Sequence, residues 1–306
     1  MSGSVPSDFL SGDFHHGWVP SADIRLHTVE CGQGPPVLLL HGFPDHWRLW
    51  GDLMQRLARD HRLMAPDLRG INLSDKPAGV AAYRIEHLVD DVLALIDHLG
   101  GSSHLIGHDW GGLLAWAVAA RHPDRVKRLV ILNAPHPCRF AQMLLDHPQQ
   151  RAASRYVGQL CEPEAASRLR RDHCATLRGV LTEHGRLAVS AEDLEASLQA
   201  WLQPGALEAA LNWYRALGHQ AAMTPPGVAA VPDLGASDGT IHCPTLLVWG
   251  ERDGSFPLDG LEGLERWVPR LRVHRAPACG HWMLREQPAA VAALIAGFLA
   301  ERGDEA

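Results

Sequence analysis

The chain has 306 residues, 46% of them hydrophobic and 21% charged, which is ordinary globular usage and excludes collagen, low-complexity disorder and a disulfide scaffold. Lys and Arg number 28 against 35 Asp and Glu, a formal charge of −7, with no basic run to neutralise a row of phosphates, so no nucleic-acid partner is expected. No apolar run approaches the roughly 18 residues of a spanning helix, so no membrane partner is expected either.

Met1–Phe14 is rich in Ser, Gly and Asp and lacks the basic start and apolar core of a signal peptide. The six cysteines, Cys31, Cys138, Cys161, Cys174, Cys243 and Cys279, form no C-x-x-C pair. Reduced thiols and a cytoplasmic location are therefore expected, with no metal. Short apolar runs at Val37–Leu40, Leu63–Ala65, His104–Ile106 and Leu129–Leu132 suit strands buried on both faces of a parallel sheet. Ile85, Leu88, Val89, Val92, Leu95, Ile96 and Leu99 recur at helical spacing, and Gly100 supplies the stop. This alternation implies an α/β fold with right-handed crossovers.

The rhythm changes after Pro135. From His136 to about Gln220 the sequence reads as helices, followed by a Pro/Gly/Ala-rich connection at Met223–Asp238. Strands resume at Thr245–Trp249 and Leu271–His274, and a last helix is expected from about Pro288 to Leu299. The expected organisation is an N-terminal extension over 1–16, a discontinuous core over 17–135 plus 236–306, and a helical cap with its return linker over 136–235. Dimers are common among soluble enzymes, so a homodimer is possible, although no dimer motif stands in the chain.

The chemistry centres on Gly107-His108-Asp109-Trp110-Gly111-Gly112, which joins strand His104–Ile106 to a helical run. In a nucleophile elbow the central residue sits on a strained turn, small neighbours make room, and the next helix points its N-terminus at forming negative charge. Here that residue is Asp109. Taken alone, an N-cap Asp beside packing glycines explains the run more often than catalysis does. Its partners change the balance. Strand Thr245–Trp249 ends in Gly250-Glu251-Arg252-Asp253, and strand Leu271–His274 is followed by Gly280-His281-Trp282. Nucleophile, acid and histidine then stand in the order Asp109, Asp253, His281, each past a strand end where open α/β sheets place their sites. Glu251 reads as a turn residue. The loop His41-Gly42-Phe43-Pro44 follows the strand Val37–Leu40, and the backbone N–H groups of Phe43 and Trp110 are the expected oxyanion-hole donors.

A carboxylate nucleophile is ionised at neutral pH without a base. Attack on a carbonyl would give an anhydride. Attack on a saturated carbon bearing a leaving group, as in an epoxide or a halide, gives an ester. His281, oriented by Asp253, then activates the water that hydrolyses it. No cofactor is required.

The run His41-Gly42-Phe43-Pro44, the segment Asp67-Leu68-Arg69-Gly70 with Ser74-Asp75-Lys76-Pro77, the elbow and Gly280-His281-Trp282 together resemble the epoxide hydrolases of the α/β-hydrolase fold superfamily, from about Gly17 to Leu299. The resemblance implies a mostly parallel eight-stranded sheet, flanking helices, an inserted helical cap and a cis Phe43–Pro44 bond. It also implies an epoxide substrate, water as co-substrate, and two cap tyrosines that protonate the epoxide oxygen. Of only three tyrosines, Tyr156 and Tyr214 fall in matching contexts, Tyr156-Val157-Gly158 and Leu211-Asn212-Trp213-Tyr214. Tyr83 reads as structural. Phe43, Trp110, Trp213 and Trp282 are candidate substrate walls.

Two alternatives stay open. Haloalkane and haloacid dehalogenases share the Asp nucleophile, but Phe43 stands where haloalkane dehalogenases usually carry Asn, and Trp110 and Leu113 stand where fluoroacetate dehalogenases carry arginines. A non-catalytic ligand-binding homologue would lack a triad member, and none is missing. Gly70-Ile71-Asn72-Leu73 departs from the usual Tyr-Gly after Arg69-Gly70, which leaves substrate fit or loop geometry open.

Overall fold

The structure is a computed structural model that describes residues 14–187, 189–221 and 238–301. Most of the expected N-terminal extension and of the connection at Met223–Asp238 lies outside those residues. The strands are β1 (His15–Ser21), β2 (Ile24–Cys31), β3 (Pro36–Leu40), β4 (Arg62–Pro66), β5 (Ser103–His108), β6 (Val126–Leu132), β7 (Thr245–Gly250) and β8 (Leu271–Ala276). They form one eight-stranded sheet in the order β1-β2-β4-β3-β5-β6-β7-β8. Strand β2 runs antiparallel to β1 and β4, and every other pairing is parallel.

Strands β5 and β7 are buried at every position and β3 and β6 at nearly every one, which is why they read as unbroken apolar runs. The β1–β2 hairpin shows no such run. Buried polar residues interrupt β2 at His27 and Thr28, and His27 is satisfied by Asp67, 2.7 Å from its Nδ1.

The helices are α1 (Gly51–Leu57), α2 (Ile85–His98), α3 (Trp110–Arg121), α4 (Pro137–Asp146), α5 (Pro148–Ala153), α6 (Arg155–Cys161), α7 (Ala165–Leu181), α8 (Ala191–Leu202), α9 (Ala206–Ala221), α10 (Met283–Glu286) and α11 (Pro288–Ala300). Helix α2 buries Ile85, Leu88, Val89, Val92, Leu95 and Ile96. It ends where Gly101 N–H reaches Ile96 O at 2.9 Å, with Gly100 at φ +106°, a conformation that suits glycine. Helices α2 and α3 cover one face of the sheet, and α1, α10 and α11 cover the other. Helix α3 is buried nearly all round, as its Leu/Ala/Trp sequence requires.

Helices α4 to α9 lie between β6 and β7, over the carboxyl ends of the strands that carry the site. Three side chains dock them on the core. Trp201 Nε1–H donates to Pro44 O (2.7 Å), Trp213 Nε1–H to Arg69 O (3.0 Å), and Gln203 Nε2 to Asn72 Oδ1 (3.0 Å). Each is worth about 1 kcal/mol net, and all three tie helices α8 and α9 and their connection to the loops beneath them. Arg48 adds an ion pair to Glu192 and Asp193.

The unusual Ile71-Asn72 pair has a definite place here. Asn72 sits at φ +42°, a left-handed conformation that Asn tolerates better than most residues. Its amide donates to Asp67 Oδ2 at 2.9 Å while its carbonyl accepts from Gln203. The departure therefore links this loop to the α8–α9 connection rather than disrupting it. The Phe43–Pro44 bond is cis, as the family resemblance implied. All six cysteines are free thiols. Among the described residues no helix is long and apolar enough to cross a membrane.

Candidate active site

Asp109 closes β5 and opens α3 with φ +54° and ψ −121°, a strained conformation for a non-glycine residue. The surrounding glycines make that turn possible. A Cβ on Gly111 would fall 2.0 Å from Leu40 O, and one on Gly42 would fall 2.1 Å from Asp109 Oδ1. The second clash explains the glycine after His41: the Asp109 carboxylate fills the space beside it.

The two carboxylate oxygens have different surroundings. Oδ1 accepts the Phe43 N–H at 2.9 Å, and the Trp110 N–H also hydrogen-bonds the carboxylate. Oδ2 lies 3.7 Å from His281 Nε2. Burial raises the Asp109 carboxyl above its ordinary range, against the pull of His281 and of the two N–H groups.

The Phe43 loop is itself held from behind. Leu68 N–H donates to His41 Nε2 (3.1 Å), which leaves His41 Nδ1–H to donate to Gly42 O (2.9 Å). Buried Asp67 accepts the Trp47 N–H at 3.1 Å. Burial opposes the Asp67 charge, yet the His27 hydrogen bond and neighbouring imidazoles hold the carboxyl below its usual range. Arg69 pairs with buried Asp91 at 2.7 Å. The Asp67-Leu68-Arg69-Gly70 segment thus braces the loop that supplies the first N–H.

His281 Nδ1 lies 2.8 Å from Asp253 Oδ2. A carboxylate only accepts, so Nδ1 carries the proton and Nε2 faces Asp109. Asp253 is aimed in turn by the Ser255 N–H (2.7 Å) and the Phe256 N–H (3.3 Å) on its Oδ1. Burial works against a charged His281 ring, but Asp253 and then Asp109 outweigh it and push the pKa to about 9.

Two further residues hold this pair. Asn133, buried past the end of β6, donates to Gly280 O (2.7 Å) and accepts the Gly250 N–H (2.7 Å). It clamps the Asp253 loop to the His281 loop. His108 Nε2–H donates to His281 O at 2.9 Å, and burial keeps that ring neutral with a pKa of about 3. Sequence reasoning did not find either role, because both act through another residue's backbone.

Tyr156 and Tyr214 come together from α6 and α9, their rings edge-on with centroids 6.5 Å apart. Phe43 and Trp110 also pack edge-on against the Tyr214 ring, at 5.7 and 5.0 Å. Burial, then the other ring and the Asp109 charge, hold Tyr214 well above the ordinary phenol value; burial and Asp109 do the same for Tyr156. Both tyrosines and Asp109 line one cavity of about 380 Å³, with Leu113, Phe140 and Phe256 among its apolar walls.

The family model for the alpha/beta hydrolase fold matches residues 35–288. Epoxide hydrolase 3 of Xenopus tropicalis is 37% identical, over 94% of this chain and 78% of that protein. The AB hydrolase superfamily protein YfhM of Bacillus subtilis is 36% identical, over 92% and 96%. The epoxide hydrolase of Bacillus megaterium superposes with a TM-score of 0.86 at 31% identity, over 93% of this chain and all (100%) of that one. The chain belongs to the epoxide hydrolases of the α/β-hydrolase fold.

In this hydrolase the four expected wall residues have different positions. Trp110 lines the main cavity. Phe43 and Trp213 line a smaller adjoining hollow with Ile71. Trp282 is not among the main cavity's lining residues; it packs edge-on against the His281 ring at 5.0 Å and carries Arg285 over its other side. Tyr83 is buried and donates to Pro77 O, away from the cavity. Glu251 pairs with Arg275 at 2.6 Å. Among the described residues no group of three or more His, Cys, Asp or Glu is placed to hold a metal ion.

Proposed function

We propose that this protein opens epoxides to vicinal diols through an ester on Asp109. The observation that carries this reading is the placement of Asp109 and the two phenols, Tyr156 and Tyr214, on the lining of one largely apolar cavity. Oδ2, the oxygen on the His281 side, attacks an epoxide carbon. The C–O bond breaks, and Tyr156 and Tyr214 donate the proton that the leaving alkoxide needs. Their raised pKa values keep both phenols protonated at neutral pH.

The second step reverses the charge logic. Ester formation removes the Asp109 charge that helps hold the His281 proton, so the ring becomes a competent base. His281 Nε2 then takes a proton from water, which attacks the ester carbonyl. Oδ1 carries the developing negative charge against the N–H groups of Phe43 and Trp110. As the ester C–O bond breaks, the leaving diol oxygen takes the proton from His281, the carboxyl proton left by the attacking water returns to the phenolate, and Asp109 is restored as a carboxylate. Asp253 keeps the imidazole in the right tautomer and balances its charge.

A halide would need a second side-chain donor beside the Trp110 indole N–H, and Phe43 supplies none at that position. This favours the epoxide over the halide. We divide the chain into a core, 17–135 plus 236–306, and a cap with its return linker, 136–235. The six free thiols support a cytoplasmic location.

The test pairs styrene oxide with bromobutane. Diol without bromide is expected, and bromide release without diol overturns the assignment. His281→Gln should accumulate the ester, seen by intact-mass spectrometry as protein plus one styrene oxide. An unshifted mass would overturn the covalent route.

A further inference from the structure

The cap also docks on the core at the α4–α5 corner. There Arg139 donates to Asp259 O at 2.7 Å, and His147 Nε2–H donates to Asp259 Oδ2 at 2.7 Å. Beside them Gln150, on α5, is buried to 1% exposure. Its amide has two N–H bonds and both are used: one reaches Ser154 Oγ and the other Ser255 O, each at 3.0 Å. Its Oε1 is buried with no partner among the described residues. A buried amide with one end unpaired costs stability, and an apolar side chain of the same size would fill the space at less cost. Packing alone therefore does not account for Gln150.

Both acceptors lead to the reacting groups. Ser255 C=O and Phe256 N–H belong to one trans peptide unit, so they point in opposite directions. Gln150 holds the oxygen of that unit, while its N–H end meets Asp253 Oδ1 at 3.3 Å, next to the Ser255 N–H at 2.7 Å. The other oxygen of Asp253 receives His281 Nδ1–H at 2.8 Å. A hydrogen-bonded line thus runs from α5 through one peptide plane and Asp253 to the imidazole, each bond polarising the next. The second acceptor, Ser154, is the N-cap of α6 and stands two residues before Tyr156. Its N–H returns to Gln150 O at 2.9 Å, so the start of α6 is tied to Gln150 twice.

We propose that Gln150 is a positioning residue for both halves of the reaction: it aims Asp253, and through it His281, and it sets the start of the helix that carries Tyr156. This rests on the epoxide hydrolase reading of the same site. The test is Gln150→Met in the full chain, which keeps the side-chain length and loses both donors. The His281 ring pKa, read by NMR without substrate, should fall from about 9 towards its ordinary 6.5. In single turnover with styrene oxide, ester hydrolysis should slow by about tenfold, the effect of one hydrogen bond lost from the transition state. Ester formation should slow several-fold. KM should change less than kcat, because Gln150 is not among the residues lining the cavity. Ser154→Ala cuts only the α6 arm, so it should slow ester formation and leave hydrolysis and the ring titration as in the wild type. A Gln150→Met protein with wild-type ring titration and wild-type hydrolysis would overturn the proposal, even if its melting temperature falls. Should that variant not fold, Gln150→Glu at alkaline pH takes its place. Its carboxylate accepts the Ser154 hydroxyl but cannot donate to Ser255 O, so hydrolysis should slow while ester formation holds; unaltered hydrolysis would overturn the proposal. If the wild type forms no ester with styrene oxide, the epoxide reading fails, and the ring titration still decides the link from Gln150 to Asp253.

Discussion

His281 Nε2 lies 3.7 Å from Asp109 Oδ2, and the Asp109 charge helps hold the proton on His281. Asp109, the proposed nucleophile, thus adds to Asp253 in setting the protonation state of His281, the proposed base. While Asp109 is a carboxylate, the ring favours its charged form. Once Asp109 is esterified, one of the two carboxylates stabilising that form is gone.

Asp109→Asn reproduces that loss permanently. It should abolish turnover and lower the His281 pKa from about 9, as read by NMR titration of the ring. A ring that still titrates near 9 would show that Asp253 alone sets the value. The wild type carries a matching stability signature. A folded pKa raised from 6.5 to about 9 contributes stability that is fully present below 6.5 and is lost as pH rises through 9. Melting temperatures across that window should fall with pH less steeply in His281→Gln than in the wild type.

Tyr156→Phe and Tyr214→Phe each keep the ring and remove one proton donor. Each should slow ester formation by about a hundredfold, and the double variant should abolish it. Single-turnover mass spectrometry with styrene oxide separates this step from hydrolysis. An unaltered rate of ester formation in the double variant would remove the phenols from the mechanism.

Asn133→Ala leaves the Gly250 N–H and Gly280 O buried without their partner. It should cost about 1–3 kcal/mol for each group, visible as a lower melting temperature. It should also lower kcat more than KM, since the two loops it joins carry Asp253 and His281 and only Ser255 and Phe256 of them line the cavity. An Asn133→Ala enzyme with wild-type kcat would mean that the loops hold their spacing unaided.

Much of this site is legible in the sequence because its chemistry stands at strand ends. Asp109, Asp253 and His281 each follow a recognisable apolar run, and glycines flag the sharp turns beside them. Tyr156 and Tyr214 are visible only because tyrosine is scarce and the surrounding segments match a family. Asn133 and His108 leave no such trace: each holds a backbone carbonyl from far along the chain, and no local pattern encodes a partner 147 or 173 residues away. The β1–β2 hairpin is masked by His27 and Thr28, whose burial makes sense only once Asp67 and the neighbouring strands are in place.

The unequal surroundings of the two Asp109 oxygens have a consequence for the product. Oδ1 is moored to the Phe43 N–H, so in the proposed mechanism Oδ2 is the oxygen that bonds the substrate and departs in the diol. Water replaces it from the His281 side while Oδ1 stays in its hole. Each diol therefore leaves carrying the oxygen of the water consumed one cycle earlier, and the very first carries one that the ribosome supplied as aspartate. The enzyme keeps a one-turnover memory of its solvent, stored in a single atom.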